Sequence, residues 1–320
     1  LNKAIQAEQA PGSTFKPFVA IAGLETGTVD PSWTTHCTGG VKLYDKYQHC
    51  HAVHGTLSMH GAIVNSCDVF FYTLGAKVGI DNIAFYGDIA GCGHKTGIDL
   101  PHEREGIMPS EQWKIRTYRQ KWYVGETPSV AIGQGALTVT PLQLTRAIGG
   151  LAVGGKWFEP HLVARPAGKV KEVDWNLTPE HVKTVVDGMY GVVNEGGTGG
   201  RARLPNVEVC GKTGTAQLAS YDYINAVGKG VELRENAWFE AFAPRDNPEI
   251  VVVAFFEHGR HGPAAAEIVR DVFAAYFDKK ARIQTRKQVQ AETTARLGLE
   301  LPGTAPGATS PGTPQPAPQP

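Results

Sequence analysis

Three short segments carry side chains that together could break and remake an acyl bond. Pro11-Gly12-Ser13-Thr14-Phe15-Lys16-Pro17 places a hydroxyl and an amine three residues apart. On a helix that spacing puts both on one face. A serine hydroxyl is a weak nucleophile at neutral pH and needs a base beside it. A lysine can serve once burial or a neighbouring cation lowers its pKa, and a helix start at Ser13 adds backbone N–H groups that favour developing negative charge. Ser66-Cys67-Asp68 supplies a second hydroxyl and a carboxylate. Lys212-Thr213-Gly214-Thr215 supplies a cation, two hydroxyls and a glycine that lets another backbone lie alongside a strand. Such a segment suits a peptide carboxylate and an acyl carbonyl. Each pattern alone also fits a bland role, such as an N-capping serine, a plain helix hydroxyl or a hairpin end. The three in this order point to acyl transfer through serine.

A second reactive set precedes Ser66: His36-Cys37, His49-Cys50-His51, His54, His60 and Cys67. Cys37-x12-Cys50-x3-His54-x12-Cys67 matches a Cys3His structural zinc set, with His51 able to substitute for His54. Gly39, Gly40, Tyr44 and Tyr47 predict a loop or small hairpin that a metal would clamp. A Cys37–Cys50 disulfide with Cys67 as a buried thiol is the other reading. Cys92 and Cys210 read as small buried apolar residues.

The elements that position these residues read as mixed α/β, of the α+β kind. Helices are predicted over 13–25, 63–78, 141–151 and 264–277. Another starts at Thr178-Pro179, with Thr178 as N-cap and proline at the first helical position, and runs to about Val193. Strands are predicted over 207–217, 237–243 and 250–257, the last two joined by the turn Pro244-Arg245-Asp246-Asn247-Pro248. The order predicts an antiparallel sheet flanked by helices. His258 and His261 fall at a strand end near the expected cleft. Arg116 to Trp122 is basic and aromatic and reads as an exposed face. From Pro302 to Pro320, seven prolines and three glycines fill 19 uncharged residues. Such a segment buries too little to fold, so the expected division is a folded domain over 1–301 and a disordered tail over 302–320.

Lys plus Arg and Asp plus Glu each number 31 in 320 residues. That balance argues against a nucleic-acid partner and against a polybasic membrane-surface protein. No apolar run reaches the roughly 18 residues of a membrane span.

The three motifs resemble those of the penicillin-recognising serine acyltransferases. Thr96-Gly97-Ile98-Asp99-Leu100-Pro101, Gly133-Gln134-Gly135, Lys212 to Gln217 and Ala241-Phe242-Ala243-Pro244 extend the likeness to class B penicillin-binding proteins, of the type that cross-links the wall during cell elongation. Asp68 in place of asparagine fits that subgroup. The resemblance covers roughly residues 1–280. It implies a penicillin-binding transpeptidase and serine β-lactamase-like fold, with Ser13 as acylated nucleophile and Lys16 as its base. Ser66 would relay a proton to the leaving amine, positioned by Asp68 and Lys212. Thr213, Gly214 and Thr215 would hold the substrate carboxylate, and the backbone N–H groups of Ser13 and Thr215 would form the oxyanion hole. It further implies D-alanyl-D-alanine stem peptides as substrates, β-lactams as covalent inhibitors, no catalytic cofactor, elongation-complex membrane proteins as partners through regions outside this chain, and a place on the periplasmic face of the bacterial inner membrane. Some members of this type carry a zinc site in the Cys-His region, whereas the oxidising compartment favours the disulfide.

Members of this group carry strands upstream of the nucleophile helix, and only 12 residues precede Ser13 here. The expectation is a domain short of its first strands and less stable for it. A serine β-lactamase is the nearest rival, but no Glu-x-x-Leu-Asn lies between Ser66 and Lys212. A non-catalytic β-lactam sensor or scaffold is the other.

Overall fold

The computed structural model describes residues 1–166, 168, 170–216, 235–259 and 262–297. Leu1–Ala274 forms one compact unit, and Ala275–Pro320 a second. His261 and the 302–320 segment lie outside the described residues.

The chain opens with a short helix α1 (Lys3–Gln6). A single 3-10 turn, Gly12–Phe15, then carries Ser13 and leads directly into helix α2 (Lys16–Glu25). The helix predicted from Ser13 thus begins as a tighter turn. Every residue of α2 from Lys16 to Leu24 is buried. A helix that is apolar around its circumference belongs at the centre of a core, and this one carries Lys16 into it.

Strands β1 (Thr34–Cys37), β2 (Gly40–Leu43), β3 (Lys46–His49) and β4 (Gly55–Ser58) form two antiparallel pairs, β1 with β4 and β2 with β3. The predicted small hairpin is therefore β2–β3, and β1–β4 encloses it in sequence.

The helix predicted over 63–78 is two helices, α3 (Met59–Val64) and α4 (Asp68–Val78). Ser66 interrupts them with φ of +53°. That left-handed conformation costs a non-glycine residue about 1–2 kcal/mol. The apolar periodicity continues through the break, which is why spacing alone reads one helix.

Helices α5 (Ile80–Ile89), α6 (Glu111–Tyr118), α7 (Thr127–Ala131) and α8 (Pro141–Ala152) follow. Thr140 and Gln143 close a reciprocal capping box at the start of α8. A short strand pair, β5 (Lys156–Phe158) with β6 (Glu172–Asp174), precedes α9 (Pro179–Asn194). Thr178 stands at the N-cap of α9 as predicted, yet its hydroxyl makes no cap bond. It donates to Glu25 Oε2 instead, and Glu25 also receives the Thr178 backbone N–H. A long-range carboxylate has displaced the local bond.

The main described sheet is antiparallel, in the order β7 (Cys210–Ala216), β8 (Asn236–Ala243), β9 (Ile250–Phe256). Every residue of β8 is buried, as expected of a strand covered on both faces. Side chains alternate between faces, so Lys212 and Gly214 share one with Trp238 and Glu240. The Ser13 turn packs there: a Cβ on Gly214 would lie 2.8 Å from Pro11 O and Thr14 Cγ2. On the other face Phe239 meets Gly199 just past α9. The last described helix, α10 (Gly262–Leu297), runs 20 residues beyond the predicted end at Phe277. The residues past Phe277 are Lys, Arg, Gln and Ala-rich, good helix formers without the apolar stripe from which the prediction was made. Among the described residues no helix is long and apolar enough to cross a membrane.

Candidate active site

Three loops meet at the edge of β7. The Ser13 turn is held by backbone contacts. Gly12 N–H donates to Gly133 O at 2.9 Å, and Trp238 Nε1 donates to Ala10 O at 3.0 Å. Gly12 has φ of +57° and is so close to Thr215 that a Cβ there would stand 2.4 Å from Thr215 O. Gln134 Nε2 donates to the same Thr215 carbonyl at 3.2 Å. Gly133-Gln134-Gly135 therefore clamps the Ser13 turn to β7, a contact that its sequence did not reveal.

The α3–α4 break presents Ser66 to two lysines. Lys212 Nζ donates to Ser66 Oγ at 2.8 Å, and Lys16 Nζ donates to Ser66 Oγ at 3.2 Å, to Ser66 O at 2.8 Å and to Asp68 Oδ1 at 2.6 Å. Ser13 and Lys16 lie three residues apart as expected. However, the three bonds of Lys16 go to Ser66 and Asp68, and among the described residues none goes to the Ser13 hydroxyl. Both lysines are fully buried.

Burial alone would push the Asp68 carboxyl up. The Lys16 ammonium and a bond from His51 outweigh it and hold Asp68 below the usual carboxylate range. For Lys212, burial and the nearby Lys16 charge hold the ammonium well below its ordinary value, against the pull of Glu240 and Asp68. Ser66 Oγ accepts from two ammonium groups, which leaves its own proton free to donate elsewhere. That arrangement can deliver a proton.

Lys212, Thr213, Gly214 and Thr215 lie consecutively on β7, beside Gly12. The Thr213 hydroxyl is 2.6 Å from the Thr198 hydroxyl. Thr198 follows the glycines that end α9 and was missed, because a lone threonine in a glycine-rich turn carries no signal of its own. His258 caps the end of β9 through its backbone N–H to Asn236 Oδ1 at 3.1 Å.

Behind Ser66 the expected ligand set gathers. Cys37 Sγ, Cys50 Sγ, His54 and Cys67 Sγ each place a ligand atom within 4.8 Å of all the others. His54 Nδ1 is 3.6 Å from both Cys37 Sγ and Cys50 Sγ. A tetrahedron with Zn–S near 2.3 Å and Zn–N near 2.1 Å has an S–N edge of about 3.6 Å, the length of the two edges from His54 to Cys37 and Cys50. The five cysteines are all unbridged. A bond shared between Cys50 and Cys67 pulls the Cys50 thiol far down and pushes that of Cys67 far up. His51 turns to the Asp68 carboxylate at 3.5 Å. That bond first, and Cys50 second, raise His51 to about 9. The cluster reaches the Ser66 loop twice: Cys67 sits inside it, and the Asp68 N–H donates to Cys50 Sγ at 3.3 Å. Cys92 and Cys210 are buried, and burial pushes each thiol up to about 12.

Comparison with known proteins agrees with this architecture. Residues 1–274 match the family model described as the penicillin binding protein transpeptidase domain. The chain is 36% identical over 326 aligned residues to the peptidoglycan D,D-transpeptidase MrdA of Acinetobacter baumannii, covering 96% of this chain and 47% of that protein. It is 34% identical to MrdA of Escherichia coli, covering 85% and 46%. It thus spans about half the length of the curated relatives it matches. Among solved structures it is similar to Pseudomonas aeruginosa PBP2 in complex with WCK 5153, with 35% identity, a TM-score of 0.76 and coverage of 86% of this chain and 62% of that one. It is also similar to Helicobacter pylori PBP2 in its complex with MreC, with 30% identity, a TM-score of 0.77 and coverage of 86% and 51%.

Proposed function

The chain belongs to the penicillin-binding protein transpeptidase family, and from that premise we propose that it cross-links peptidoglycan as a D,D-transpeptidase through an acyl-enzyme on Ser13. The observation that carries the reading is Ser66 Oγ held between Lys16 and Lys212 at the edge of β7. In the first half-reaction the Lys16 ammonium first gives up a proton to solvent, and the amine so formed takes the Ser13 proton as Oγ attacks the carbonyl between the two terminal D-alanines of a stem peptide. The tetrahedral oxyanion is met by the N–H groups of Ser13 and Thr215, a type of stabilisation worth several kcal/mol. The amide C–N bond breaks, Ser66 passes its proton to the leaving amine and takes one from the Lys16 ammonium 3.2 Å away, and D-alanine departs. In the second, the amine of another stem attacks the Ser13 ester, and the same groups return its proton to the site as the cross-link forms. Thr213, Gly214 and Thr215 hold the substrate carboxylate. A β-lactam enters as the donor does and stays on Ser13.

The resemblance also supports a place on the periplasmic face of the inner membrane and membrane-bound elongation partners, met through parts of the protein outside this chain. For Cys37, Cys50, His54 and Cys67 we propose a structural zinc ion, supported by the spacing of the four donors. Bound there, zinc would supply cross-linking behind the Ser66 loop and no part of the chemistry.

Intact mass spectrometry before and after penicillin tests the main reading. A lasting adduct that Ser13→Ala abolishes is expected. An adduct lost within seconds would indicate a lactamase, and no adduct would overturn the reading.

A further inference from the structure

Glu240 has no place in the scheme above, yet it faces the site. In the β7–β8 register it stands directly opposite Lys212, so the two side chains leave the same face of the sheet at a cross-strand spacing. Its carboxyl is fully buried, and neither oxygen has a hydrogen-bond partner. Interiors normally exclude such a group.

The charges around it account for it. Lys16 is in contact with Asp68. Lys212 is bonded to Ser66 Oγ and Thr213 O, both neutral acceptors, and among the described residues it touches no anion. From α8, Arg146 is committed to the carbonyls of Gly91, Lys95 and Thr96 and to the face of Trp157. From the segment after α5, Cys92 keeps its thiol proton. From β9, Val253 opposes Glu240 with no charge. The buried site thus holds two lysines, one with a contact anion and one with Glu240 across the strand pair, a carboxyl that burial pushes well up and that Lys212 pulls back down.

We propose that Glu240 is the counter-charge of Lys212, a positioning residue that keeps this lysine protonated and so keeps Ser66 in its donating orientation during acyl transfer. The proposal rests on the acyl-transfer reading above. Without the Glu240 charge, only Asp68 is left to offset burial and the Lys16 charge, and the Lys212 ammonium loses its proton more readily.

The test is the rate of acylation by a fluorescent penicillin between pH 5 and pH 10, for the wild-type chain, Glu240→Gln and Glu240→Asp, with melting temperatures recorded alongside. Gln is expected to move the alkaline limb to lower pH by about one unit, the size of one charge removed a cross-strand spacing away in a partly screened interior. Asp keeps the charge and is expected to return the limb to its wild-type position, which a packing defect would not do. A Gln profile that matches wild type in shape, whatever its height, overturns the proposal and leaves the acyl-transfer reading intact. Failure of both variants to fold assigns the carboxyl to the core and overturns it too. A wild-type chain that takes no penicillin at any pH removes the acyl-transfer reading and this proposal with it.

Discussion

Gly133→Ala should disable acylation far more than it unfolds the protein. Gly133 has φ of +75°, and a Cβ on it would lie 2.0 Å from Gly12 O. Ordinary contact begins near 3.4 Å, so the Ser13 turn and the Gly133 loop must part by about 1.4 Å. The Gly12 N–H to Gly133 O bond stretches out of range with them. A left-handed alanine costs about 1–2 kcal/mol and a lost hydrogen bond about 1 kcal/mol, together about 2–3 kcal/mol. In a unit of this size that corresponds to a fall of roughly 4–12 °C in melting temperature. A displacement of about 1 Å at a reacting group can cost about 100-fold in rate, so acylation by a fluorescent penicillin is expected to slow by at least that much in protein that is still folded. Gly154→Ala is the control. Gly154 has φ of +88° with nothing within 4 Å of its Cβ position. It carries the same backbone penalty of about 1–2 kcal/mol and should acylate at the wild-type rate. If Gly133→Ala acylates within about twofold of wild type, the Gly12–Gly133 clamp does not position the nucleophile.

Two further outcomes follow from the buried charges and the sulfur cluster. Asp68→Asn removes the contact anion of Lys16 while keeping an acceptor at 2.6 Å, and acylation should fall by at least about 100-fold, the usual scale of general acid–base groups; stopped-flow acylation within threefold of wild type would place Asp68 outside the machinery. The purified chain should carry one zinc ion in native mass spectrometry. Its removal by chelator should lower both melting temperature and acylation rate, because Cys67 and Cys50 hold the Ser66–Asp68 loop. A metal-free chain two hydrogens light, bridged between Cys37 and Cys50, would refute that assignment.

Much of this site was legible because its chemistry is local. Ser13 and Lys16, Ser66 and Asp68, and Lys212 to Thr215 are runs short enough for type and spacing to identify. Strand and hairpin signals also sufficed for β8, buried along its whole length, and for β9, which is largely half-buried. What stayed hidden depends on contacts far apart in sequence. Ser66 breaks its helix with a positive φ, and no residue type at that position signals the break, since serine is not a usual left-handed residue. Thr178 looked like a cap, but its hydroxyl found Glu25, 153 positions away. Gln134 and Thr198 act through Thr215 and Thr213, and Glu240 through a strand register that exists only once β7 and β8 have paired.

The same separation explains how the fold can hold two buried lysines beside one hydroxyl. An ammonium in a core is costly unless it is paired and hydrogen-bonded. Lys16 is brought there by a helix that has no exposed side from Lys16 to Leu24, so it cannot swing to solvent. Lys212 is fixed by a strand paired along its whole length with β8. Neither can relax by moving, so each must find acceptors where it stands, and the acceptor that they share is Ser66 Oγ. An oxygen that accepts twice keeps its own proton pointing outward. The left-handed kink at Ser66 is the means of setting that oxygen between them. Its cost of about 1–2 kcal/mol is small beside that of leaving either ammonium unbonded in the interior. A continuous helix through residue 66 would satisfy local preference and strand both lysines, which is why the break belongs to the site more than to the helices on either side of it.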